Sequence, residues 1–155
     1  MGFSVSGATV VLFLGIVISF GMAYTAGSNG LERVTDAYQD TSDDELVRQN
    51  TQVGIADAAV ANQDGQLYLN ATATNDGSST LSVSDTDILI DGNYISHTGE
   101  NMTALDVDGN DETDLWMPGE TLRFNVSVES EPDRVKVVTG PGVSAAGDVT
   151  SEEGA

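Results

Sequence analysis

The chain has no cysteine, one histidine and one lysine in 155 residues. The absence of cysteine excludes disulfides, thiol catalysis and cysteine-ligated zinc. The one histidine, His97, cannot form a histidine-based metal cluster. It lies in the polar stretch 96–99, and the sequence has no nucleophile-elbow motif. We interpret His97 as a solvated loop residue. The sequence therefore predicts a protein that is not an enzyme and needs no cofactor or metal.

Positive charge is scarce throughout the chain. Five Lys and Arg stand against 25 Asp and Glu, so the formal net charge is −20. Such a surface repels phosphate backbones, which excludes ordinary nucleic-acid binding. The charge also favours unfolding at low ionic strength. In molar salt the Debye length falls to ~3 Å and most of the repulsion disappears. Because the carboxylates are scattered over the chain, we interpret them as an adaptation to a salt-loaded solvent, as in halophilic archaea.

A long apolar segment opens the sequence. No charged side chain precedes Glu32, and residues 3–26 read FSVSGATVVLFLGIVISFGMAYTA. As a helix, such a segment spans ~36 Å, which exceeds a bilayer core of ~30 Å. A cleaved secretory signal is the alternative, but the segment lacks a basic n-region and a good small-residue cleavage site. We predict that residues 1–30 are an uncleaved transmembrane anchor with the larger part of the chain outside the cell. Few Lys or Arg residues flank this segment, so the positive-inside rule gives only a weak signal for its orientation.

Small residues recur at every fourth position of this anchor, at Gly15, Ser19, Ala23 and Gly27. Such a ladder lets another membrane helix approach closely. It predicts a helix–helix contact, either self-association as a homodimer or pairing with a partner's anchor. The alternative is that the ladder has no function, because glycine is common in membrane helices in any case.

The period of the apolar residues changes near residue 50. Residues 31–50 follow a helical spacing with a capping-box pattern at Ser42, which predicts a helical stalk or linker. Later runs, such as TLRFNVSVE at 121–129, alternate with period two and are bounded by turn residues. Seven or eight short strands of this kind are typical of an immunoglobulin-like antiparallel β-sandwich. We predict a mainly β fold with that sandwich over residues 51–139 and a disordered tail over residues 140–155.

Two further motifs have weak functional signals. Residues 140–145 match a G-x-G-x-x-A string, but no helix or ribose-binding carboxylate follows, so we treat the match as coincidence. The run from Asp106 resembles a calcium loop in its first three ligand positions. However, its glycine comes at the fourth position and its twelfth residue is Met117. We predict a hydrated acidic loop there, with calcium binding as the alternative.

Three sequons and one tryptophan are the remaining candidates for surface contacts. Asn70, Asn101 and Asn125 each begin an N-x-[ST] glycosylation acceptor, and Asn70 and Asn125 fall on the outward phase of their predicted strands. Chance alone accounts for one or two such motifs in a chain this rich in Ser and Thr. Trp116 is predicted to close the core, and a partner contact through its ring is the alternative.

Taken together, these residues resemble a known family. The N-terminal segment, DDELVRQNT, NDGSSTLSVSDTDILIDG and ETDLWMPGETLRFNV are similar to the haloarchaeal FlaF (ArlF) proteins of the archaellum, the archaeal flagellum. The resemblance extends to about Thr139. It implies a single membrane anchor and an extracellular β-sandwich in the archaellum basal region. It further implies a stator role, in which the sandwich binds the S-layer glycoprotein and pairs with a FlaG-type component.

Two other functions compete with this expectation. A minor archaellin or pilin-like filament subunit would be trimmed after a leader, which needs a basic residue before a glycine; Met1-Gly2 lacks it. A surface adhesin or ligand-binding module is the other alternative.

Overall fold

The computed structural model describes residues 3–151, with side chains given for 7–39 and 41–151. This part of the chain forms one helix and eleven strands. The elements are α1 Phe3–Asn50, β1 Val53–Gln63, β2 Gln66–Asn75, β3 Leu81–Ser82, β4 Asp87–Ile90, β5 Asn93–Ile95, β6 Met102–Val107, β7 Leu115–Trp116, β8 Thr121–Val128, β9 Arg134–Val138, β10 Ser144–Asp148 and β11 Thr150–Ser151. The chain divides into two compact units, Met1–Asp43 and Asp44–Ala155.

Helix α1 has no break at the predicted capping box. The hydroxyl of Ser42 donates to the carbonyl of Tyr38 at 2.8 Å, and therefore does not cap a new helix. Ser19, Thr25 and Thr35 make the same bond to the carbonyl four residues before each of them. Each of these hydroxyls is thus satisfied within the helix, and the segment contains no proline that would interrupt it.

The second unit is a sandwich of two main sheets. One has the strand order β11-β1-β2-β8-β6, and the other has the order β10-β9-β4-β5. Strands β3 and β7 form a separate short ribbon. The succession β1-β2-β8-β6 against β10-β9-β4-β5 corresponds to strands A-B-E-D against G-F-C-C′ of the immunoglobulin fold. The predicted fold class, an apolar N-terminal helix followed by an antiparallel β-sandwich, is confirmed.

Alternating side chains of the central strands form the core between the sheets. Leu69, Leu122, Val126, Val135 and Val137 are fully buried. Each side chain of this kind stabilises the fold by roughly 1.5–3 kcal/mol through the apolar area it removes from water. The period-two pattern of β2, β8 and β9 therefore places one face of each strand in the core and leaves the other outside.

Asp-Gly turns set the register of the hairpins. Asp64 and Asp91 adopt positive φ angles of 54° and 48°, and the glycine after each is also positive. Two successive positive angles are the signature of a type I′ turn, which matches the twist of the strands it joins. These turns connect β1 to β2 and β4 to β5.

The prediction of a disordered tail over 140–155 is wrong for residues 140–151. Strand β10 pairs antiparallel with β9, and β11 pairs parallel with β1. The β10 sequence Ser-Ala-Ala-Gly-Asp has too little apolar character to be recognised as a strand. Its small residues nevertheless fit the site, because a Cβ built on Gly147 would lie 2.8 Å from the Ile55 side chain. Residues 152–155 lie outside the described residues.

The second unit begins at Asp44 and therefore includes the last two turns of α1. The predicted start of the sandwich domain, residue 51, lies about two helical turns beyond this boundary. The carbonyl of Asn50 accepts the backbone N–H groups of Ser78 and Ser79 at 2.8 and 3.2 Å. The carbonyl of Gln52 accepts the N–H of Asp76 at 2.8 Å. These bonds satisfy backbone groups that a helix end leaves without partners.

Candidate functional site

The first candidate is the apolar part of α1. Among residues 3–151 the structure has one helix long and apolar enough to span a membrane, and the mean hydropathy of its most apolar window is 2.0. Every large apolar side chain from Val10 to Met22 is more than half exposed. In water such a surface is unfavourable by about 25 cal/mol for each Å² of apolar area. A lipid environment removes that cost.

The four ladder residues lie at exposed positions of this helix. A Cβ built on Gly15 or Gly27 would have no atom within 4 Å, so both glycines present open backbone. Ser19 donates its hydroxyl to the Gly15 carbonyl at 2.8 Å, and its polar group is therefore satisfied within α1. Ala23 occupies the position between Ser19 and Gly27. The contact predicted for this ladder remains a prediction.

Trp116 is part of the core, and its alternative role as a partner contact is wrong. The residue has no exposed surface, and its indole Nε1 donates to the Glu120 carbonyl at 2.9 Å. Its own carbonyl accepts from the buried side chain of Asn75 at 3.0 Å. The neighbours Leu115 and Met117 are exposed instead. The strand alternation at β7 turns the ring inward, which residue type alone does not indicate.

A row of side chains crosses the outer face of the four-stranded sheet. The strand register places Tyr94, Leu89, Lys136 and Ala146 side by side on β5, β4, β9 and β10. We call these four residues the Tyr94 row. Tyr94 is 60% exposed, and Lys136 is the only lysine of the chain. Within the described side chains Lys136 makes no ion pair. The row thus combines an exposed aromatic ring with an unpaired cation. Sequence reasoning missed it because cross-strand register is not a local property.

The sequons converge on the outer face of the five-stranded sheet. Asn70 on β2 and Asn125 on β8 are direct cross-strand partners, and the amide of Asn125 donates to the side-chain oxygen of Asn70. Thr103 of the third sequon donates to the side-chain oxygen of Asn125 and, at 3.1 Å, to its carbonyl. Asn101 is exposed in the turn before β6, and its carbonyl accepts the N–H of Ser127 at 2.8 Å. The predicted outward phase of Asn70 and Asn125 is confirmed.

The candidate calcium loop uses its oxygens to close turns. Asp106 accepts the N–H of Gly109 at 2.7 Å, Asp108 accepts that of Thr121 at 3.3 Å, and Asn110 accepts that of Glu112 at 3.1 Å. Among the described side chains, 7–39 and 41–151, no group of three or more His, Asp or Glu residues is placed to hold a metal ion. The predicted acidic loop is therefore organised by backbone N–H groups.

His97 differs from its interpretation as a solvated residue. It lies in the turn after β5 and is half-buried, and its Nε2 atom is shielded with no hydrogen-bond partner in the part of the chain that the structure describes. Met102, Leu105 and Asp106 line the same groove. Asp111 lines this groove as well. Asp106 already accepts the Gly109 N–H and approaches Arg123 at 4.0 Å.

Asp114 is a carboxylate whose hydrogen bonds change its pKa. Its Oδ1 accepts the Ser84 N–H at 2.7 Å, and its Oδ2 accepts the Ser82 hydroxyl at 3.0 Å. The backbone bond from Ser84, followed by the Ser84 and Ser82 side chains, lowers the pKa of Asp114 below its ordinary value. These bonds join the loop before β7 to Ser82 at the end of β3 and to Ser84 beyond it.

Comparison with known proteins adds a fold neighbour. No family model matches the chain, and no curated protein matches it. Among solved structures it is similar to a chain of the crystal structure of the human cytomegalovirus protein US2 bound to the MHC class I molecule HLA-A2/tax. The identity is 16%, the match covers 65% of this chain and 98% of that chain, and the TM-score is 0.36.

Proposed function

We propose that this chain is a non-enzymatic brace of the archaellum motor. In this role α1 crosses the cytoplasmic membrane once, and the sandwich binds the S-layer glycoprotein outside the cell. A FlaG-type component pairs with it in the stator. The motor assignment is supported by the resemblance of the N-terminal segment and of the NDG, IDG and PGE turns to FlaF proteins.

The exposed apolar surface of α1 is the observation that carries this proposal. From Val10 to Met22 each large apolar side chain is at least 51% exposed. The first charged residue is Glu32. A soluble domain would bury such a face, whereas a membrane anchor leaves it to lipid.

A tether also needs a body that resists load. The sandwich has a single core that includes the fully buried Trp116, Ile88 and Leu122. Antiparallel pairing between β1 and β2 and between β2 and β8 extends over eight or more register positions in each case. A rotary motor turns its filament only when a fixed part absorbs the counter-torque, and a well-packed domain held to the wall meets that requirement.

The Tyr94 row is the contact surface that we assign to the wall. Two of the three Lys and Arg residues beyond residue 50, Arg134 and Lys136, lie on strand β9 and are exposed. On this face Arg134 and Lys136 balance the charges of the exposed Asp87 and Asp148. In a chain of net charge −20, such a face repels an acidic partner less than an average part of the surface does. Tyr94 supplies an aromatic anchor of the kind enriched at interface centres.

Deletion of the gene in the source organism tests the motor role. We expect the cells to assemble filaments but not to swim, because the rotor would lack a fixed counterpart. The full chain should restore swimming. A matched variant, in which a cleavable secretory signal replaces residues 1–30, should be released from the membrane and should fail to restore it.

Each other outcome identifies a competing function. A deletion strain that swims normally would contradict the brace. Recovery of the chain in sheared filaments with a trimmed N-terminus would identify a filament subunit instead. Swimming restored by the secreted variant would show that anchorage is dispensable, and it would favour a free surface module.

A further inference from the structure

The centre of the outer face of the five-stranded sheet is unusual for this chain because it has almost no charge. Strands β2 and β8 together contain one charged residue, Arg123. That residue approaches Asp106 at 4.0 Å. The remaining outward positions of the two strands are occupied by uncharged residues, mainly Thr, Ser and Asn. Asp57 and Asp106 lie on the flanking strands β1 and β6, so the two central strands carry none of the 25 acidic residues. A sugar that covers these central strands therefore buries no carboxylate.

All three sequons meet on this face, as the contacts among Asn70, Asn125 and Thr103 show. We propose that it is the glycan-bearing face of the domain: Asn101 carries an N-linked oligosaccharide, and Asn70 and Asn125 accept at most one between them. The inference rests on the extracellular placement in the proposed function, because N-linked glycans are added to segments that have been transported to the outer side of the membrane.

Asn101 is the accessible acceptor. It lies in a turn, it is exposed, and its side-chain amide has no hydrogen-bond partner within the described side chains. The threonine of its sequon, Thr103, is the bulged residue of β6, because the register passes from Met102↔Val126 to Ala104↔Asn125. Tyr68 lines the same groove as Asn101 and Thr103 and presents a ring on which the first sugar can pack.

Asn70 and Asn125 cannot both carry a glycan in the same molecule. Directly opposed side chains on antiparallel strands have Cβ atoms about 4.5–5.5 Å apart, which leaves no room for two oligosaccharides. The Asn125 amide is also engaged, since it donates to Asn70 while its oxygen accepts from Thr103. A glycan on either asparagine therefore blocks the other.

The test uses the full chain produced in a halophilic archaeal host that glycosylates its own surface proteins. Intact mass counts the glycans, and mass spectrometry of glycopeptides locates them. We expect a glycan on Asn101 that Thr103→Ala removes and Thr103→Ser retains, since both serine and threonine complete the sequon. In Asn101→Gln, which leaves Thr103 in place, every molecule should carry no more than one glycan. Molecules of this variant with two glycans would overturn the exclusion between Asn70 and Asn125.

A new sequon at another exposed position distinguishes a failure of the Asn101 assignment from a failure of the extracellular placement. Glu112→Thr creates a new sequon at the exposed Asn110. If Asn110 is modified in this variant while Asn101 is not, the assignment of Asn101 is wrong and the extracellular placement stands. If neither is modified, the glycan-bearing face and the extracellular placement both fail.

Discussion

Gly77 lies directly against Asn50, the last residue of α1. A Cβ built on Gly77 would lie 2.5 Å from the Asn50 carbonyl oxygen and 2.6 Å from the Gln52 nitrogen. Both neighbours are backbone atoms and cannot rotate away. The glycine therefore lets the Asn75-Asp76-Gly77 turn approach the helix end closely enough for the two bonds from Ser78 and Ser79 to the Asn50 carbonyl.

The first prediction concerns this contact. Gly77→Ala should lower the free energy of unfolding of the sandwich by about 1–3 kcal/mol, because an added methyl group at a closed site forces backbone shifts. Thermal unfolding in molar salt measures the effect. Ser78→Ala is the matched control: Ser78 is exposed and keeps its backbone N–H, so its melting temperature should stay close to that of the wild type. Equal stability of Gly77→Ala and Ser78→Ala would contradict the assigned contact.

The second prediction compares two aromatic residues. Trp116→Ala should cost about 3–5 kcal/mol of stability, because it empties a fully buried site and leaves the Glu120 carbonyl without its indole donor. Tyr94→Ala should change stability by only about 0.5 kcal/mol, since Tyr94 is 60% exposed. Chemical denaturation of both variants in molar salt gives the two values. A large loss for Tyr94→Ala would assign that ring to the core instead of to a contact surface.

The long alternating strands were within reach of sequence reasoning, because their pattern is local. In β8 each inward residue, such as Phe124, is followed by an outward polar one, and no neighbour is needed to recognise the alternation. The sequence does not predict strand β6, and the bulge at Thr103 explains why. The extra residue interrupts the alternation of inward and outward side chains within a strand of only six residues. Strand β10 was missed because Ala145 and Gly147 face the sandwich with very little apolar surface.

The candidate surfaces were predictable only where they depend on a motif. The sequons and their outward phase follow from the sequence, but the pairing of Asn70 with Asn125 depends on register between strands 55 residues apart in the chain. The Tyr94 row likewise depends on the register between strands, which a local pattern does not show. Trp116 was assigned an alternative surface role because a tryptophan beside a Pro-Gly turn gives no local signal of the direction in which its ring points.

The third prediction uses the single lysine as a probe of the Tyr94 row. An amine-reactive cross-linker applied to intact cells has one side-chain target on this chain, Lys136. We expect a cross-link to the S-layer glycoprotein. Lys136→Arg keeps the charge but removes the amine, so it should abolish the cross-link while cells continue to swim. Lys136→Glu should weaken binding because it opposes an acidic partner. A cross-link to a second copy of this chain instead would assign the row to self-association.

The fourth prediction is a pH dependence from Asp114. Because hydrogen bonds from Ser84 and Ser82 lower the folded-state pKa of Asp114, its carboxylate contributes stability above the ordinary pKa of a carboxyl group. This contribution is lost as the pH falls through the depressed value. Asp114→Asn retains one acceptor oxygen where the carboxylate has two. The variant should therefore melt below the wild type near pH 6, and the gap should narrow as the pH falls below about 4.

Melting temperatures at matched molar salt between pH 2.5 and 6 measure that gap. Asp111→Asn removes the same charge from an exposed loop residue that has no hydrogen bond to Ser84 or Ser82, and it is the control. Its difference from the wild type should be smaller at pH 6 than that of Asp114→Asn, because Asp114, unlike Asp111, joins the loop before β7 to Ser82 and Ser84. If the two variants gave the same difference across the range, the stabilisation would come from net charge alone, and the Ser84 contact would contribute nothing.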